Sequence, residues 1–165
     1  MTDIAADGPS GRFVDGYLLY LLARASSVAS AEFHEEVRAR GVPVVVWRIL
    51  ASLKGADEGL TVGDLAKSCL AKQPAISKTV DKLVGKGLVD RHEDAEDRRR
   101  VRVRLTPAGE AHVDELILAA RAHQARLVEA IGKGEIETLR RALLRLIERA
   151  GAGAPPIDAD ATPDE

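Results

Sequence analysis

Residues 61–91 read TVGDLAKSCLAKQPAISKTVDKLVGKGLVDR, and residues 94–109 read DAEDRRRVRVRLTPAG. Thr61 can cap a helix, because its hydroxyl accepts from free backbone N–H groups, and Asp64 stands three residues on, as in a capping box. Leu65 and Ala66 then face a core. Helical register breaks over 68–73, and Pro74 can open a second helix through Lys86, since a first-turn residue needs no N–H partner. Ile76, Val80 and Leu83 give that helix one apolar stripe, and Gly87 ends it by supplying a left-handed backbone position. After Gly87 the period changes to two. Residues 88–92 suit a short strand and 92–97 an acidic turn. Residues 100–106 alternate strictly, with Val101, Val103 and Leu105 on one face and Arg100, Arg102 and Arg104 on the other. The two strands pair as an antiparallel ribbon.

Outward from this stretch the pattern is helical. Val14, Leu18, Leu21, Leu22, Ala25, Val28 and Ala29 recur at spacings of three and four, which predicts one long amphipathic helix over 13–40. Gly41 stops it, Pro43 starts the next, and 44–54 forms a short, very apolar helix ended by Gly55. Thr106-Pro107 caps a fifth helix reaching about residue 131, and 135–149 supplies a sixth. The expected fold is mostly α with a small two-stranded β-wing, a winged helix-turn-helix with terminal dimerisation helices. Its parts are a disordered N-terminal tail (1–11), N-terminal helices (12–55), the winged lobe (56–106), C-terminal dimerisation helices (107–150) and a disordered acidic tail (151–165) rich in Gly, Ala and Pro.

The chain has 165 residues, 45% of them hydrophobic and 30% charged, a balance suited to one compact domain. No apolar run could span a bilayer, and no cationic region followed by an apolar one begins the chain, so a cytoplasmic protein without membrane contact is expected. One cysteine, Cys69, cannot form an intrachain disulfide. The four histidines are scattered without metal-ligand spacing, and no nucleophile, base or metal set suggests an enzyme or a cofactor. Charge is unevenly placed. Between Lys67 and Arg104 eleven Lys or Arg face six Asp or Glu, a local +5, so within a net charge of −2 the rest carries −7. A positive face on an acidic molecule is the electrostatic footprint of a DNA reader, although most charge runs are simply solvated helix faces.

The order helix, turn, helix, ribbon gives that footprint a mechanism. The major groove of DNA is about 12 Å wide and admits one helix, whose N-terminal residues reach base edges. Gln73 can bond an adenine edge bidentately, Ala75 can touch a thymine methyl, and Lys72, Ser77, Lys78 and Lys82 can bond bases or phosphates. The outer arginine row would lie near the phosphate backbone, and Arg98 or Arg99 could place a guanidinium in the minor groove. The competing readings are an exposed hairpin with solubilising arginines and a winged helix used only for protein contacts.

Residues 61–109 resemble the DNA-binding core of the MarR family, and the resemblance extends over about 13–150. The second quoted segment is similar to that family's wing signature: an Asp-Arg-Arg run, alternating residues, Leu-Thr and a nearby Gly. The resemblance implies a homodimeric transcriptional regulator, in all expectation a repressor, that binds a pseudo-palindromic operator in double-stranded DNA. It implies that Gln73, Ala75, Ser77 and Lys78 lie on the recognition helix, that Asp97 holds the wing by an ion pair with a neighbouring arginine, and that Arg99 or Arg98 enters the minor groove. The triple arginine leaves the register among Arg98, Arg99 and Arg100 open, and Lys72-Gln73-Pro74 stands where family members often open the helix with Ser or Thr.

Dimerisation would use stripes on the first, fifth and sixth helices: Val14, Leu18 and Leu21; Val113, Leu116 and Ile117; Leu139, Leu143, Leu146 and Ile147. A small aromatic or anionic effector, as some relatives bind, would meet Tyr17, Tyr20, Arg24, His34 and Trp47. Those side chains serve more often as core or interface packing. A redox-responsive regulator is the other alternative, but Cys69 lies at the end of the third helix, away from the first helix where resembling sensors carry their reactive thiol. It reads as a small buried hydrophobe, with Lys67 and Lys72 near enough in sequence to lower its pKa.

Overall fold

The computed structural model describes residues 11–94, 97 and 100–151. Among the described residues, seven helices and three strands run in the order α1 (Phe13–Gly16), α2 (Leu18–Ala39), α3 (Val44–Leu53), β1 (Leu60–Thr61), α4 (Val62–Cys69), α5 (Gln73–Gly85), β2 (Val89–Glu93), β3 (Val101–Leu105), α6 (Pro107–Ile131) and α7 (Lys133–Gly151). Both expected tails fall outside the described residues except at Gly11 and Gly151.

The single helix expected over 13–40 is two. Tyr17 is extended (φ −77°, ψ 114°), and its N–H closes the first turn on the Val14 carbonyl at 3.2 Å. Gly16 has poor helix propensity, and Arg12 pairs with Asp15 to hold the short α1 as a separate turn. Apolar spacing continues across the break, so periodicity alone does not register it.

The ribbon also gains a strand. The sheet order is β1-β3-β2, all antiparallel, with Leu60 opposite Val103 and Thr61 opposite Arg102. A two-residue strand is too short for any alternation to reveal. Gly59 makes it possible: with φ +71° it approaches β3 so closely that a Cβ would lie 2.6 Å from the Val103 carbonyl oxygen.

Two buried clusters hold the molecule. The larger gathers Ile49, Leu50 and Leu53 of α3, Leu65 and Cys69 of α4, Ile76, Val80 and Leu83 of α5, Val89, Val103 and Val113. Each large side chain buried there stabilises the lobe by about 1.5–3 kcal/mol, and the α5 stripe read from the sequence is what fixes that helix. The smaller cluster, Phe33, Val37, Val42, Leu116 and Ala119, joins α2 to α6. Val113 and Leu116 therefore complete the core of one chain and are not free for a dimer contact, contrary to expectation. Exposed apolar side chains include Phe13, Val14, Leu18, Leu19, Leu21 and Val28 at one end and Leu139, Leu144, Leu146 and Ile147 on α7.

The Leu-Thr-Pro-Ala-Gly run seals the wing to α6. Thr106 Oγ1 donates to the Gly87 carbonyl at 2.6 Å and accepts from Gly109 N at 3.1 Å, while Thr106 N donates to Leu88 O at 3.1 Å. Gly109 is packed so tightly there that a Cβ would fall 1.9 Å from Leu88 O. Lys54 ties α3 to the same helix through Glu110 and, at 2.6 Å, Asp114, and both carboxylates raise the Lys54 pKa.

Candidate nucleic-acid interface

The turn between α4 and α5 is set locally. Thr61 Oγ1 accepts from Asp64 N at 3.1 Å and donates to Asp64 Oδ2 at 2.6 Å, starting α4. That hydroxyl bond lowers the Asp64 pKa, aided by the Thr61 backbone, Lys67 and Arg100. Leu70 ends the helix in the left-handed region at φ 53°, letting Ala71 N bond Ala66 O at 3.0 Å. The chain then enters α5 at Gln73 with Pro74 in its first turn.

At about 100° per residue, the positions opposite Ile76, Val80 and Leu83 are Pro74, Lys78, Asp81 and Gly85, with Ala75 and Lys82 on one flank and Ser77 on the other. Lys72, Gln73, Ala75, Lys78 and Lys82 are exposed, and Ser77 is half-buried. Asp81 is an acid on the outward face, and no pattern in the sequence marks it. Its Oδ1 accepts from Arg91 Nη2 of β2 at 2.6 Å, so its charge is matched and the helix is linked to the wing.

The arginine row divides. Arg100 is exposed, and its N–H donates to Asp97 O at 2.8 Å. Arg104 reaches Glu58 at 3.3 Å. Arg102 is turned to the wing root: Nε donates to Asp94 Oδ2 at 2.5 Å and Nη1 to the Gly59 carbonyl at 3.0 Å. Inside the wing Asp94 pairs with Arg102. Asp97 contributes its backbone N–H, which donates to Asp94 Oδ1 at 3.2 Å. Arg98 and Arg99 lie outside the described residues. The sequence places Arg102 in the outer arginine row and does not reveal its pairing with Asp94, because strand pairing, across a turn, decides which acid meets which base.

The five candidate effector residues form two groups. Tyr17 stacks on Phe13 with ring centroids 5.2 Å apart, and Arg24 Nη1 donates to Tyr20 Oη at 3.1 Å. His34 is fourteen residues further along α2 than Tyr20, about 21 Å at 1.5 Å per residue. Trp47 meets Phe33 edge to face at 5.2 Å, beside the buried His123. Burial lowers the His34 pKa, with Arg48 and Arg38 adding to the effect. A shallow groove along α6, lined by Arg121, Gln124, Ala125, Val128 and Glu129, contains none of the five.

Cys69 is buried, and burial raises its thiol pKa against the opposing influence of Ser52 and Arg48. The lowered pKa considered for it from Lys67 and Lys72 is not what the fold produces. Among the described residues, no three His, Cys, Asp or Glu side chains are grouped to hold a metal ion, and no helix is long and apolar enough to cross a membrane.

Two helices joined by a tight turn beside a three-stranded wing define a winged-helix lobe. Residues 40–100 match the model of the MarR family. A MarR family transcriptional regulator from Silicibacter pomeroyi DSS-3 is 42% identical over 81% of this chain and 97% of its own, with a TM-score of 0.71. The chain belongs to the MarR family of transcriptional regulators. It is also similar to the transcriptional repressor CouR bound to a 23-mer DNA duplex (26% identity, 79% of this chain and 92% of that one, TM-score 0.66). A third similar structure is NadR in complex with 4-hydroxyphenylacetate (25% identity, 76% and 88%, TM-score 0.69).

Proposed function

We propose that this regulator is a homodimeric repressor that reads a pseudo-palindromic operator with α5 in the major groove and the wing in the adjacent minor groove. The observation that carries the reading is the exposed row Lys72, Gln73, Ala75, Lys78 and Lys82, on a helix whose one acid is matched by Arg91. Ser77 flanks the row, Arg100 extends it to the wing, and Arg98 and Arg99 supply the minor-groove cation, with Asp97 helping to hold the turn. CouR, similar in fold, is a repressor seen on DNA. The exposed apolar residues of α1, the start of α2 and α7 suit a second copy. Two copies would read half-sites about 34–36 Å apart.

The same reading includes control by a small aromatic or anionic effector, the kind of molecule NadR holds. Within one chain a small molecule reaches only one of the two groups. The His34–Trp47 end is the better placed, because α3 packs on α2 and also on α4 and α5. A ligand there acts on DNA binding only if it prefers one spacing of the recognition helices.

The test is fluorescence anisotropy with a labelled duplex from the region upstream of the protein's own coding sequence, over a salt series. Affinity should fall steeply with salt, by a slope of about 0.9 per phosphate contacted. Lys78→Ala should weaken binding and reduce that slope by about one contact. Salt-insensitive binding, or none, overturns the reading. Sedimentation of Leu146→Glu/Ile147→Glu should show monomers where the unaltered chain is dimeric.

A further inference from the structure

We infer that Asp94 and Arg102 are positioning residues for DNA binding, a clasp that fastens the root of the wing to the loop before β1 without touching DNA. The inference rests on the reading of the wing as a DNA-contacting element.

Asp94 is 6% exposed, directly after β2, where an unpaired carboxylate would be costly. Its Oδ2 takes Arg102 Nε, its Oδ1 takes the backbone N–H of Asp97, and its own N–H donates to Arg100 O at 2.9 Å. Arg102 carries the connection onward, since Nη1 donates to Gly59 O. Gly59 precedes β1, which leads directly into α4. A continuous path therefore runs from Asp97, in the turn, through Asp94 and Arg102 to the helical lobe. A two-stranded hairpin on its own is marginal in water, so an added fastening at its root limits how far its turn can swing.

The alternative is that Arg102, on the outer face of β3, is a phosphate ligand. The two possibilities predict opposite signs. Asp94→Asn removes a negative charge from the wing and releases Arg102. If Arg102 were a phosphate ligand, this change would tighten binding. If the pair is a clasp, it loosens the wing and weakens binding.

The experiment measures affinity for the same upstream duplex over a salt series, with the full-length protein and at a temperature where melting curves show each variant folded. Asp94→Asn and Arg102→Leu should each weaken binding by about tenfold, the scale of one lost base contact. The double variant should be no worse than the weaker single, because both break one connection. The salt slope should stay unchanged, and amide exchange at Val101 and Val103 should accelerate while that at Ile49 and Leu50 does not. Arg102→Lys should behave like Arg102→Leu, since an ammonium cannot bridge Asp94 and Gly59 in the same fork. The clasp is overturned by tighter binding in Asp94→Asn, by a salt slope lowered in Arg102→Leu and restored in Arg102→Lys, or by unchanged affinity in both. Lys78→Ala separates the two levels: if it too leaves affinity unchanged, the DNA reading fails, and if it weakens binding, only the clasp does.

Discussion

Arg91 Nη2 donates to Asp81 Oδ1 at 2.6 Å, joining the second strand of the wing to the outward face of the recognition helix. The pair is partly exposed, so its direct worth to folding is under about 1 kcal/mol. Its electrostatic consequence is larger, because an unmatched aspartate on that face would oppose phosphate. Arg91→Ala is expected to leave the melting temperature nearly unchanged while weakening DNA binding several-fold. Adding Asp81→Asn should restore part of the loss, measured by anisotropy at fixed salt.

Gly109 should tolerate no side chain. A Cβ there would sit 1.9 Å from the Leu88 carbonyl oxygen, which is backbone and cannot swing aside. Gly109→Ala must push α6 off the wing root, and urea unfolding should show a loss of at least about 2 kcal/mol. An unchanged midpoint would mean that α6 is not seated against β2 as described.

Leu70 carries a local strain. A non-glycine residue in the left-handed region costs about 1–2 kcal/mol, of which glycine's greater unfolded freedom cancels part. Leu70 is half exposed, so little packing is lost on removing it. Leu70→Gly should raise stability by up to roughly 1 kcal/mol in urea unfolding, whereas Leu70→Val should lower it.

Cys69 gives a pH dependence of definite sign. Its thiol pKa is raised in the folded chain, so above the ordinary thiol range the unfolded chain is deprotonated while the folded one keeps its proton. The folded state then binds more protons, and stability falls as pH rises. The contribution should be fully present below about pH 8.5, the unperturbed thiol value, and lost above it. Cys69→Ala should flatten this limb. Alkylation by iodoacetamide should be slow in the native protein and fast in denaturant.

A second titration runs the other way. Burial lowers the His34 pKa, so the unfolded chain takes up a proton first as pH falls through about 6.5. Stability present above that value should therefore decrease below it. Replacing His34 with Gln should reduce the acid-side slope of the melting temperature between about pH 7 and pH 5.

Elements whose signals are local can be read from the chain alone. Ile76, Val80 and Leu83 recur at helical spacing, Thr61 and Thr106 stand where caps belong, and Val101, Val103 and Leu105 alternate, so the recognition helix and wing strands were legible with nearly their observed bounds. The tertiary structure decided what these elements do to one another. It placed β1 against β3, turned Arg102 inward to Asp94 and Gly59, matched Asp81 with Arg91, and put Val113 and Leu116 in the core of a single chain. The physical reason is range. Periodicity and capping depend on neighbours within a turn or two of backbone, while the partner of an arginine on a strand is set by register and by which surfaces meet when the helices pack.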